Sequence, residues 1–169
     1  MDLIPFLKFI GIGTKQSIHS DLIDQMSDKP AFDLCVDAEL DNLQEIRNYI
    51  DRAGKSFGVD ATVLADLRLV VDEAVTNVIL HGYKDGKGLV EIHMEQDDDA
   101  VIIRIRDKGL HFDANHVATP QLDTALADRP FGGMGMFLIR KMTDEAEFLA
   151  LPEGGNELRL VKKGAIPPG

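Results

Sequence analysis

The 169 residues, 44% of them hydrophobic and 28% charged, suit one ordinary soluble domain with a full core and argue against a second. A formal net charge of -11 speaks against an electrostatic grip on nucleic acid or on an anionic membrane. No apolar run approaches the ~20 residues of a membrane span, the start lacks a secretory pattern, and one cysteine cannot close an internal disulfide, so a cytoplasmic setting is expected.

Residues 1–30 read as an extension in which Ile18, Leu22, Ile23 and Met26 recur at helical spacing, either a short amphipathic helix for the domain or a second subunit, or a disordered leader. From Phe32 the period changes to two. Phe32, Leu34 and Val36 alternate with Asp33, Cys35 and Asp37, a strand in which Cys35 is expected as a small buried hydrophobe. Asp41 with Gln44 suggests a capping box, and Leu43, Ile46, Ile50, Ala53 and Phe57 stripe a helix that ends near Gly58.

Asp60 can cap the next helix, which carries Val63, Leu67, Val71, Ala74 and Val78 on one apolar face at about 100° per residue. A second stripe holds Asp66, Glu73 and Asn77. Glu73 and Asn77 stand at i and i+4, where a carboxylate and an amide oxygen can serve a hard cation and its waters. The helix closes at His81 and Gly82, with the glycine expected as a left-handed cap.

Val90, Ile92 and Met94, then Val101, Ile103 and Ile105, alternate with polar neighbours as a hairpin joined through Asp97, Asp98 and Asp99, an antiparallel pair covered on one side. A long segment of little periodicity, Lys108 to Gly133, has the length of a functional lid. Met134 to Met142 reads as a helix, Glu145 to Ala150 and Glu157 to Val161 as a closing hairpin, and residues 164–169 as a flexible tail.

Two glycine segments sharpen the reading. Asp107 ends an apolar strand and can accept a hydrogen bond from an exocyclic amine, while Gly109 lets a planar ring approach the backbone. Gly132, Gly133 and Gly135 lead directly into a helix, whose free N–H groups and dipole favour phosphate. Neither a Walker A sequence nor a dinucleotide fingerprint is present, and no spacing among His93, His111 and His116 resembles a zinc site.

Taken in order, these segments resemble the ATPase superfamily of DNA gyrase, MutL and sensor histidine kinases. Asp72 to Asn77 with His81-Gly82-Tyr83 is most similar to the anti-sigma-factor serine/threonine kinases, the likeness covering residues 31–163. The resemblance implies a two-layer α/β (α+β) sandwich of the Bergerat type, a mostly antiparallel sheet covered on one face by helices. It implies that Asn77 coordinates Mg²⁺ on the phosphates of ATP and that Glu73 orients or deprotonates the attacking hydroxyl. Asp107 would bind the adenine amine and Gly109 line the base pocket. His81, Phe112 and Asn156 would join them, while Gly132, Gly133, Met134, Gly135 and Met136 would wrap the phosphates under a lid from Ala114 to Pro130. The implied partners are a small anti-sigma-factor antagonist, phosphorylated by the kinase, a sigma factor, and a second copy in a homodimer.

Two departures stand out. Leu110, His111, Phe112 and Asp113 replace a further glycine, and Asn156 follows Gly155 where a threonine is common beside the aspartate. Three other readings compete: a nucleotide-binding module that sequesters a partner without transfer, a detached histidine-kinase module with His19 as acceptor, and an ATP-driven clamp. The last needs a transducing domain for which 169 residues leave no space.

Overall fold

The computed structural model describes residues 30–83, 87–110 and 133–168. Strand β1 runs over Ala31–Asp37, followed by a 3₁₀ turn, Leu40–Asn42, and helix α1, Leu43–Phe57. Helix α2, Ala61–Asn77, continues into a π-helical turn, Val78–Gly82. Then come β2, Leu89–Asp97, and β3, Ala100–Asp107; helix α3, Gly133–Met142; and β4, Glu145–Ala150, with β5, Asn156–Lys162. The strands form one sheet in the order β1-β2-β3-β5-β4, every neighbouring pair antiparallel.

Period-2 alternation sends Val90, Ile92, Met94, Ile103, Ile105 and Leu160 to one face of the sheet, where they share a core with Ile46, Ile50, Leu67, Val70, Val71 and Ile139 of the three helices. That makes the two-layer α/β sandwich. Each fully buried aliphatic side chain contributes about 1.5–3 kcal/mol relative to exposure. The other face is laid out in cross-strand charge rows, Asp33, His93, Arg104, Arg159 and Glu147 forming one of them. Arg104 reaches Glu95 at 2.7 Å and Arg106 reaches Glu157 at 2.6 Å. Partial burial raises the Glu95 carboxyl, but the hydrogen bond and charge of Arg104, with help from His93, outweigh it and the pKa lies below the ordinary value.

Several local expectations change. Helix α2 packs against both α1 and α3 as well as the sheet, so it buries a broader arc than one stripe: Leu64, Leu67, Val70, Val71, Ala74 and Val75, with Val63 and Val78 only half-buried. Cys35 is exposed, because the alternation that turns Val36 inward turns its neighbour outward. Its thiol is pushed up in pKa by partial burial and by the charges of Glu91 and Asp37, which disfavours the thiolate. The capping box does not form: the 3₁₀ turn precedes α1, Asn42 takes the cap position without a side-chain cap bond, and Gln44 bonds Asn48 instead. Gly82 keeps a negative φ, since the helix ends by widening into the π turn, whereas Gly58 does close α1 in the left-handed conformation at φ 75°.

The carboxy-terminal residues are docked where a flexible tail is expected. Ala165 is fully buried and its carbonyl accepts from Asp60 N at 2.9 Å, while Ile166 N donates to Asp99 O at 3.1 Å. The expected helix in residues 1–30 falls outside the described residues, apart from Pro30. Among the described residues no helix is long and apolar enough to cross a membrane.

Asp60 caps α2 as expected, its Oδ1 accepting from Thr62 N at 2.8 Å and Val63 N at 3.3 Å. Those two backbone donors hold its carboxyl below the usual carboxylate range. A depressed folded-state pKa stabilises above the unfolded value, and that stabilisation is lost as pH falls through the folded one. Asp60→Ala should therefore lower the unfolding temperature at about pH 7, and the gap to the wild type should narrow in melts at about pH 2.5.

Candidate active site

One end of the sheet, where β3 ends and β5 begins beside the end of α2, opens into a cavity. Its apolar wall is Ala74, Val78, Ile105, Met136, Ile139 and Leu158, and its polar groups include Asn77, His81, Asp107 and Asn156. Helix α2, β3, β5 and α3 each contribute, so the sheet register and the packing of α2 on α3 set the geometry together.

Asp107 is the last residue of β3 and is only 7% exposed. Its Oδ1 accepts from Gly109 N at 2.8 Å and from Asn156 Nδ2 at 3.0 Å, while Oδ2 takes no hydrogen bond among the described residues. Thus one carboxylate oxygen is fixed by the protein and the other, among the described residues, is open to a ligand. Asn156 faces Asp107 directly in the β3–β5 register, and its amide also donates to Leu110 O at 3.0 Å. The amide that stands where a threonine is common therefore does reach the aspartate.

Glycine is required around this turn. A Cβ on Gly109 would lie 2.7 Å from Gly82 O, and Leu110 N donates to that same carbonyl at 2.9 Å, so the turn after β3 lies flat on the end of the π turn. Gly155, at φ 97°, packs so closely on the Asp107 backbone that a Cβ would overlap Asp107 O. Sequence reasoning names Met136 but misses Gly155 and the rest of the apolar wall; the Gly154-Gly155 pair before Asn156 and the inward period of β3 and β5 are the available signals.

At the other side of the cavity, Gly135 is buried in the first turns of α3, and a Cβ there would come 2.6 Å from Glu73 Oε2 and 3.5 Å from Asn77 Nδ2. The structure therefore brings Glu73, Asn77 and Gly135 together. Asn77 lines the cavity, with Glu73 one turn earlier on α2 and outside the lining. Asp66, on the same stripe, does not line the cavity either. Asp72 is directed toward α1, where its Oδ2 accepts from Arg47 Nε at 2.6 Å. Gly133 and Met134 begin α3, and Met136 reaches the cavity. Phe112, Gly132 and the expected lid lie outside the described residues.

Residues 36–162 match the model of the histidine-kinase-like ATPase domain family. The anti-sigma F factor of Lysinibacillus sphaericus is 32% identical over 108 residues, 62% of this chain and 74% of that protein. The chain belongs to the anti-sigma-factor branch of the histidine-kinase-like ATPases. The anti-sigma F factor of Bacillus subtilis (strain 168) is 35% identical over 100 residues, 59% of this chain and 68% of its own length. The fold of this ATPase also resembles the crystal structure of the RsbU and RsbW domains of Rv1364c from Mycobacterium tuberculosis, with a TM-score of 0.58 at 19% identity. The superposition covers 79% of this ATPase but only 32% of that longer chain, so the likeness is one of fold.

Proposed function

We propose that this ATPase-family protein transfers the γ-phosphoryl group of ATP to a serine or threonine of a small antagonist protein and, when not so engaged, binds a sigma factor. The reading is supported above all by one observation: a single cavity carries on one side a carboxylate whose Oδ2 takes no hydrogen bond among the described residues and on the other Asn77, with Glu73 and Gly135 packed together just behind it. The first suits an adenine amine, and the second the phosphates and the attacking hydroxyl. In this reading Asp107 and Asn156 fix the base, the Gly109 and Gly82 backbones leave room for its plane, and the start of α3 receives phosphate through the N–H groups of its first turn.

The donor set also suits Mg²⁺. Asn77 offers an amide oxygen to a hard cation, Glu73 stands one turn away, and the missing side chain at Gly135 lets the Glu73 carboxylate lie close against α3. Bound Mg²⁺ would neutralise phosphate charge, with Asn77 as its protein ligand. Glu73 accepts a hydrogen bond or the proton from the incoming hydroxyl. We place the protein in the cytoplasm and expect a homodimer, following the relatives' family.

The test is calorimetric titration of the intact chain with ATP, with and without Mg²⁺. Micromolar binding that needs Mg²⁺ is the expected result. A folded protein that takes up no ATP under either condition would remove the kinase reading altogether.

A further inference from the structure

Tyr83 follows the π turn and belongs to no element, yet its hydroxyl joins two distant backbones. It accepts from Lys108 N at 2.7 Å and donates to Leu89 O at 2.8 Å. Its ring lies against Gly88, where a Cβ would overlap the ring atoms, so the absence of a side chain there sets the ring's place. Burial foremost, and the nearby charges of Asp107 and Glu91, raise the phenol's pKa despite the Lys108 bond, and it stays a neutral donor to Leu89. Lys108 is the residue between Asp107 and Gly109. The tyrosine thus holds the middle of the turn whose two ends grip the aspartate and the π turn.

We propose that Tyr83 is a positioning residue of the base pocket: its hydroxyl, through the Lys108 amide, fixes the Asp107–Gly109 turn so that the free oxygen of Asp107 meets the exocyclic amine of the adenine. The inference rests on the reading of Asp107 given under Proposed function. Without the hydroxyl, the Lys108 peptide loses its only described partner for its N–H, and its plane can tilt and carry the Asp107 side chain with it, the far end of the turn staying held by Gly109 N and Leu110 N. The free oxygen then loses its aim. A nucleotide with no amine to present makes no bond to that oxygen, and the Gly109 backbone beside its plane stays held by Gly109 N and Leu110 N, which separates positioning from general packing.

The experiment is titration of the wild type and Tyr83→Phe with ATP and with purine riboside triphosphate, which lacks the 6-amino group, alongside thermal melts. The substitution should weaken ATP binding about fivefold to tenfold and leave the purine analogue within about twofold. Unchanged ATP affinity, or an equal loss for both nucleotides, overturns the positioning role. Wild type that binds no ATP overturns the reading beneath it as well, which is a different result. A measurement on the unsubstituted protein stands apart from any folding defect: the Lys108 amide should exchange with deuterium at least about tenfold slower than an open-chain amide, and exchange at the open-chain rate overturns the inference.

Discussion

Asp107→Asn should reduce ATP affinity by at least about 100-fold while the protein still folds. The substitution keeps volume and shape at a site that is 7% exposed, so it tests charge and hydrogen-bond polarity alone. In one amide orientation the oxygen takes the place of Oδ1 and keeps the bonds from Gly109 N and Asn156 Nδ2, and the NH₂ then faces the adenine amine, donor against donor. In the other orientation the NH₂ faces Gly109 N and Asn156 Nδ2, leaving two donors opposed and the turn without its anchor. Either arrangement leaves a buried polar group unpaired, at about 1–3 kcal/mol for each such group. The internal bonds favour the first orientation, which predicts a melting temperature close to the wild type together with lost binding. Calorimetry reads the affinity, and a loss of less than about threefold would remove Asp107 from the base pocket.

How much of this is legible in the amino-acid sequence follows from the range over which each feature is determined. Strand β4 was read with its observed bounds, and Gly58 and Asp60 were placed correctly, because period 2, a left-handed glycine and an N-cap are decided within a few residues. The breadth of the apolar face of α2 was not legible, since it depends on α1 and α3 both packing there. Nor was the closure of α2: a Gly after His81 has the look of a left-handed cap, but the helix ends in a π turn that is riveted through Gly82 O to Leu110 N. The Asp107–Asn156 bond spans 49 residues, and only the strand register makes them neighbours. Glu73 and Asn77 were visible as a pair, but that Gly135 clears the space beside them is a fact of helix packing. The tail failed for a similar reason, its composition suggesting fraying while Ala165 finds a buried seat at the start of α2.

Glu73→Ala should separate binding from transfer, and it carries the largest expected effect. Glu73 does not line the cavity, whereas Asn77 does, so truncating it should leave the Mg²⁺-ATP dissociation constant within about threefold. The rate of phosphoryl transfer to an antagonist protein should fall about 10²- to 10⁴-fold, the range for loss of a positioned acid–base group. Its place supports this division: Oε2 stands against the backbone at Gly135, at the start of the helix proposed to hold the phosphates, and a Cβ there would come within 2.6 Å of it. Glu73→Gln then distinguishes two roles. If the carboxylate only orients the hydroxyl, the amide oxygen does the same and the rate recovers to within about tenfold of wild type; if it takes the proton, glutamine is as slow as alanine, because an amide has no basicity near neutrality. Single-turnover transfer measured at saturating ATP keeps binding out of the comparison. Full transfer by Glu73→Ala would show that the cavity binds nucleotide without this carboxylate in the chemistry, and the protein would then regulate its partners through nucleotide occupancy alone.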